Sequence, residues 1–201
     1  RGVLATQFFR VNPHRLNLGV IGLDLKDATG KKIELKELTD IRQELKLYDG
    51  VIESKYKADG KPVEVTTAAM QGHDAVLYRI KTPLLKEGRA TVGIRLPYPT
   101  GKHADDAADW SKPERHISRI VSNDEHSALI EHILDSTRYY LNLSWQGDAK
   151  LQECGLHHFE LSTASEVLAF KAEYKTTLST PVGVSTNSKS APSGSVESLV
   201  F

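Results

Sequence analysis

Cysteine is nearly missing from this chain: Cys154 stands alone in 201 residues. One thiol closes no intrachain disulfide and builds no cysteine-based zinc site. Excess charge is missing too, because 26 Lys and Arg balance 26 Asp and Glu. A chain devoted to nucleic acid or anionic lipid carries a basic surplus, so neither nucleic acid nor membrane is expected as a partner. No apolar run approaches the roughly 18 residues of a membrane-spanning helix. Helical periodicity is weak, and no internal repeat is visible. The chain opens at Arg1 without a signal segment. It reads as an excised piece, which leaves the compartment open. The length allows one large domain or two small ones, with enough core to need no covalent or metal staple.

What is present is a period of two. Leu45 and Leu47 alternate up to Asp49-Gly50, and Ile52, Ser54 and Tyr56 alternate after it. Asp59-Gly60 follows, then Val63, Val65 and Thr67. Asp-Gly suits a tight hairpin, since Gly accepts positive φ and Asp tolerates it. Further strands are expected through Val76/Tyr78/Ile80, Ala90/Val92/Ile94/Leu96, Tyr139/Leu141/Leu143/Trp145, His157/Phe159/Leu161 and Leu168/Phe170/Ala172/Tyr174. Each has one apolar and one polar face, the mark of antiparallel sheets packed on one side. Residues 124–135 have some helical propensity, but Ala128, Ile130, His132 and Leu134 alternate, and a strand is expected. One early run changes phase, from Leu16/Leu18/Val20 to Ile21/Leu23/Leu25, with Gly19 and Gly22 flanking the change. That predicts a bulge or sharp bend, or a strand buried on both faces. The fold class expected is all-β, a large antiparallel sandwich with little helix.

Two stretches break the rhythm. Pro97–Arg115 holds three prolines, four acids and Trp110. Loops of this length in a compact domain are usually functional or disordered. From 179 to 201 the chain is rich in Ser, Thr, Pro and Gly, the composition of a linker, and it ends on the apolar Leu199-Val200-Phe201. The expected organisation is a β domain over 1–178, then a linker over 179–201 leading to a truncated neighbour.

Candidate chemistry is sparse. Eight histidines stand at 14, 73, 103, 116, 126, 132, 157 and 158. None shows the HExxH spacing of a helical zinc site. His157 and His158 are adjacent, so on a strand they face opposite ways. All eight read as structural or solvated, and no metal or cofactor is expected. Cys154 reads as a buried, inert thiol. Asp105, Asp106, Asp109 and Glu114 offer carboxylates for glycoside hydrolysis, but acids on one polar loop are not held at the fixed separation that reaction needs. They read as solvated, and no residue of the chain is assigned a catalytic role. Trp145 reads as core, and the sequon at Asn142 lies in an expected strand. Trp110 either pins its own loop or offers its face to a sugar ring. With Asp109 and His116 it forms the candidate carbohydrate- or partner-binding surface.

Several runs carry a family likeness. His14-Arg15-Leu16-Asn17-Leu18-Gly19-Val20-Ile21-Gly22-Leu23, the Leu47–Ser54 hairpin and Lys57–Val63 resemble the N-terminal β-sandwich of six-hairpin, (α/α)6-barrel glycosidases of bacterial type. Leu96-Pro97-Tyr98-Pro99, Ala108-Asp109-Trp110 and Pro113-Glu114-Arg115-His116 fit the same proteins, and the likeness spans most of residues 8–175. The resemblance implies a supersandwich shaped like galactose mutarotases, which buttresses a helical-barrel catalytic domain that carries the catalytic carboxylates. It implies carbohydrate as ligand, and periplasm or secretion as the preferred location. The function expected is therefore a non-catalytic domain of a glycoside hydrolase. The alternatives are an independent carbohydrate-binding module and, behind it, a mutarotase-like epimerase, which needs an acid–base pair not evident here.

Overall fold

The computed structural model describes residues 2–11, 17–101 and 106–177. The linker expected over 179–201 and Asp105 lie outside them. Among the described residues, helix is confined to α1 (Gly2–Val11) and the four-residue α2 (Pro83–Lys86), apart from two 3-10 turns. The rest of the regular structure is strand. In chain order the strands are β1 (Val20–Leu25), β2 (Thr39–Lys46), β3 (Val51–Ala58), β4 (Lys61–Ala69), β5 (Ala75–Lys81), β6 (Ala90–Arg95), β7 (Tyr98–Pro99) and β8 (Ala108–Asp109). They continue as β9 (His116–Asn123), β10 (Ser127–Leu134), β11 (Thr137–Trp145), β12 (Lys150–Gly155), β13 (His158–Ser162) and β14 (Val167–Lys175).

Two antiparallel sheets face each other. The larger has the order β2-β3-β4-β5-β14-β11-β10-β9, and the smaller the order β1-β6-β13-β12. The expected all-β sandwich is thus what the chain forms. β14 is the keystone of the large sheet: it pairs with β5 on one side and β11 on the other, joining two meanders that lie far apart in sequence. The core lies between the layers. Val92, Ile94, Phe159 and Leu161 from the small sheet pack with Ile80, Ile130, Leu141, Leu143, Leu168 and Phe170 from the large one. Alternation produces this, because every second residue of each strand points inward. Over 127–134 the alternation prevails over helical propensity: Ala128, Ile130, His132 and Leu134 are all buried on one face of β10. Trp145 is core as expected, and its indole N–H donates to the Glu125 carbonyl at 3.1 Å.

The turns repeat the local chemistry with one difference. Asp59 and Gly60, at φ +48° and +72°, close a two-residue hairpin in which Ala58 pairs with Lys61. Asp49-Gly50 instead ends a four-residue loop between Lys46 and Val51, with only Gly50 at positive φ. α2 carries the chain from the large sheet to the small one. The Thr82 hydroxyl accepts from the Leu84 N–H at its start, and Pro83 occupies the position where a missing N–H costs nothing.

Two expectations need correction. The phase change near Gly19 produces no bulge. β1 pairs with β6 residue for residue from Val20 to Leu25, and the phase change falls at its first residues. Gly19 sits at φ +141°, so close to β6 that a Cβ there would stand 2.8 Å from Leu96 Cδ2. The even-phase residues Leu18 and Val20 are simply the exposed entry to the strand. Cys154 is exposed, not buried. It stands near the end of the edge strand β12, where the pairing with β13 becomes irregular between Glu153 and Gly155, so no layer covers it.

Candidate functional site

The end of the sandwich near β9 gathers the chemistry. β9 and β10 pair so that Ser118 lies opposite His132 and His116 opposite Leu134. These residues point into the space between the sheets. The turn from β12 to β13 delivers His157 from the other layer, in the left-handed conformation at φ +56°. The imidazoles of His116 and His157 stack with centroids 3.6 Å apart and planes 17° apart. His132 meets both edge-on.

A continuous hydrogen-bond chain links them. With the three rings in their neutral form, its polarity is set from one end. The Pro113 carbonyl can only accept, so His157 Nε2–H donates to it at 2.8 Å. His157 Nδ1 then accepts from the Ser118 hydroxyl at 2.8 Å. Ser118 Oγ accepts from His132 Nδ1–H at 2.7 Å. His132 Nε2 accepts from His116 Nδ1–H at 3.3 Å, which leaves His116 Nε2 as the acceptor end. Burial, reinforced by the neighbouring imidazoles, pushes the pKa of His132 down to about 3. Burial and then His157 push that of His116 down to about 4.

The loop that carries the expected site residues packs against this cluster. Tyr98 donates to Asp135 at 2.7 Å, and the Arg115 guanidinium lies over its ring at 4.6 Å. β7 and β8 make a short hairpin, and Pro113–Arg115 adds a 3-10 turn. Trp110, Asp109 and His116 therefore line one cleft, together with Arg95, His157 and His158. Trp110 is 53% exposed. The Asp109 carboxylate is held well below the usual carboxylate range, first by Lys112 at 2.7 Å and then by the Ser111 hydroxyl and N–H. The cleft is small, about 140 Å³, against the roughly 300–1,000 Å³ of ligand-enclosing pockets. It can take the edge of a ring or one side chain, and a sugar would lie across the indole face rather than inside.

Among the described residues, two groups hold donors close enough for a metal ion: His116/His132/His157, and Asp24/His158/Glu160. In the first, the stacking of His116 on His157 works against chelation. The lone pairs of stacked rings run in parallel planes and do not meet at one ion. The first group is better described as a self-satisfied polar core. Sequence reasoning kept His116 for the candidate binding surface but set aside a joint role for the histidines, and so missed this convergence. The available signal was phase: His132 shares the inward phase of Ala128, Ile130 and Leu134, and a polar residue there calls for a buried partner. Against known proteins, the chain matches no family model and no curated protein.

Proposed function

We propose that this sandwich is a non-catalytic, carbohydrate-associated domain of a glycoside hydrolase, supporting a helical-barrel catalytic domain. The observation that carries the reading is the state of the cleft. Among the described residues the one acid that lines it, Asp109, is pinned in its ionised form by Lys112 and Ser111. A glycosidase needs a second, protonated carboxylic acid to donate to the leaving oxygen, and the described residues of the cleft supply none. The fold supports the same reading, since two broad antiparallel sheets are what the family likeness implies.

The test is turnover. The 201-residue chain is expected to release no chromophore from a panel of nitrophenyl glycosides. Hydrolysis that disappears in Asp109→Asn rejects the reading. The sequence encoded after Phe201 is the second check: long helical periodicity supports it, and further sandwich repeats count against it.

A second reading, an independent carbohydrate-binding module, is favoured by the exposed indole of Trp110 above the cleft. Calorimetry against glycans separates the two. Binding that vanishes in Trp110→Ala supports the module, and no binding leaves the supporting role.

A further inference from the structure

The outer face of the small sheet has a gap in its covering of side chains. Gly22, Gly93 and Glu160 lie in register across β1, β6 and β13. The two glycines leave a bare floor, and neighbouring side chains lean over it. A Cβ on Gly93 would stand 2.1 Å from Asp24 Oδ2 and 2.6 Å from an Arg95 guanidinium nitrogen. Any residue but glycine would fill the space these groups occupy. His158 and Glu160 reach the same place from β13. One ligand atom each from Asp24, His158 and Glu160 lies within 4.8 Å of the others.

One atom in this cradle is unexplained. His158 Nε2 is shut off from solvent and has no hydrogen-bond partner. Its nearest anion, Glu160 Oε1, stands at 3.8 Å, too far for a hydrogen bond. A buried nitrogen left in this way calls for an ion or a water. Asp24 Oδ2 accepts from the Arg95 guanidinium at 2.6 Å, which leaves its second oxygen for another cation. Two carboxylates against one guanidinium leave a negative charge for that cation to neutralise.

We propose that Asp24, His158 and Glu160 form a binding site for a divalent transition-metal ion of the zinc type, clamping β1 to β13 across the glycine floor of β6. The donor set selects the metal class. One imidazole nitrogen with two carboxylate oxygens suits zinc and its neighbours, whereas calcium and magnesium take all-oxygen shells. Ligand bonds of about 2.1 Å place donors roughly 3–3.5 Å apart, so small side-chain rotations draw the three atoms onto one ion. The proposal does not rest on sugar binding at Trp110, although His158 also lines the cleft beneath that indole.

The experiment is calorimetric titration of chelator-stripped protein with zinc, and with magnesium and calcium in parallel. One zinc per chain is expected, with a rise in melting temperature and no comparable response to magnesium or calcium. His158→Gln and Glu160→Gln, both on the outer face, should each weaken zinc by at least about tenfold. Gly93→Ala should do the same by filling the cradle while every donor remains. His132→Gln should leave zinc affinity unchanged, which separates this site from the inner histidines. Absence of zinc binding overturns the proposal. So does zinc binding that survives both His158→Gln and Glu160→Gln, or that is lost with His132→Gln instead.

Discussion

His157 and His158 are neighbours in the chain and opposites in the molecule. His157 closes the β12–β13 turn in a left-handed conformation and puts both ring nitrogens into hydrogen bonds between the sheets. His158 starts the next strand, faces out, and has Nε2 bonded to nothing. One residue of register separates a satisfied polar core from an open donor set. A histidine's role here follows from which layer covers it and what stands opposite, and neither is a property of the residue type. The largest expected contrast comes from deleting each kind of ring. His132→Ala removes a fully buried side chain, strands His116 Nδ1 and leaves Ser118 with its bond to His157 alone. A cavity plus stranded polar groups should cost about 3 kcal/mol or more. His158→Ala in metal-free protein should cost less than about 1 kcal/mol, because it removes an unpartnered atom from an outer face. Urea denaturation checks both, and equal losses would erase the distinction.

Acid sharpens the same comparison. His116 and His132 have folded pKa values lowered to about 4 and about 3, while the unfolded chain takes up protons near pH 6.5. Lowered values mean that the unfolded state binds the proton first as pH falls. The stability these rings supply is complete above pH 6.5. It is then lost downward through their folded pKa values. In that window each ring should withdraw roughly 1.4 kcal/mol per pH unit. Urea midpoints at pH 7 and pH 5 should show the loss, with a shallower dependence in His132→Gln. A midpoint independent of pH between 7 and 5 would show that the inner cluster titrates freely.

The features legible in the sequence are those that need only nearby residues. Asp59-Gly60 names its own turn, and the alternation of Ala128, Ile130, His132 and Leu134 names both a strand and its buried face. The grouping of Trp110, Asp109 and His116 was also local, since eight consecutive residues hold all three. What could not be read depends on register between distant strands. Ser118 meets His132 because β9 pairs with β10 at that offset, and both meet His157 because the two layers stack. Asp24 and Glu160 are separated by more than half the chain, and only the order β1-β6-β13 brings them together. Cys154 was misjudged for a related reason: the alternation of a strand does not say whether it lies at an edge.

The smallest effect tests the seam between the two histidines, where Trp110 sits. His157 and His158 both line the cleft beneath the indole. If Trp110 is offered to a ligand, its removal should barely change the fold. Trp110→Ala is expected to shift stability by no more than about 0.5 kcal/mol, the usual range for an exposed position. The Tyr98–Asp135 hydrogen bond and the Arg115 guanidinium over the Tyr98 ring would still hold the loop. A loss well above 1 kcal/mol in urea would assign the indole to pinning its own loop, because burial of one large aromatic is worth that much or more. The outcome decides which side of the comparison the cleft belongs to. A silent substitution groups it with the open outer face of His158, and a costly one with the closed interior of His157.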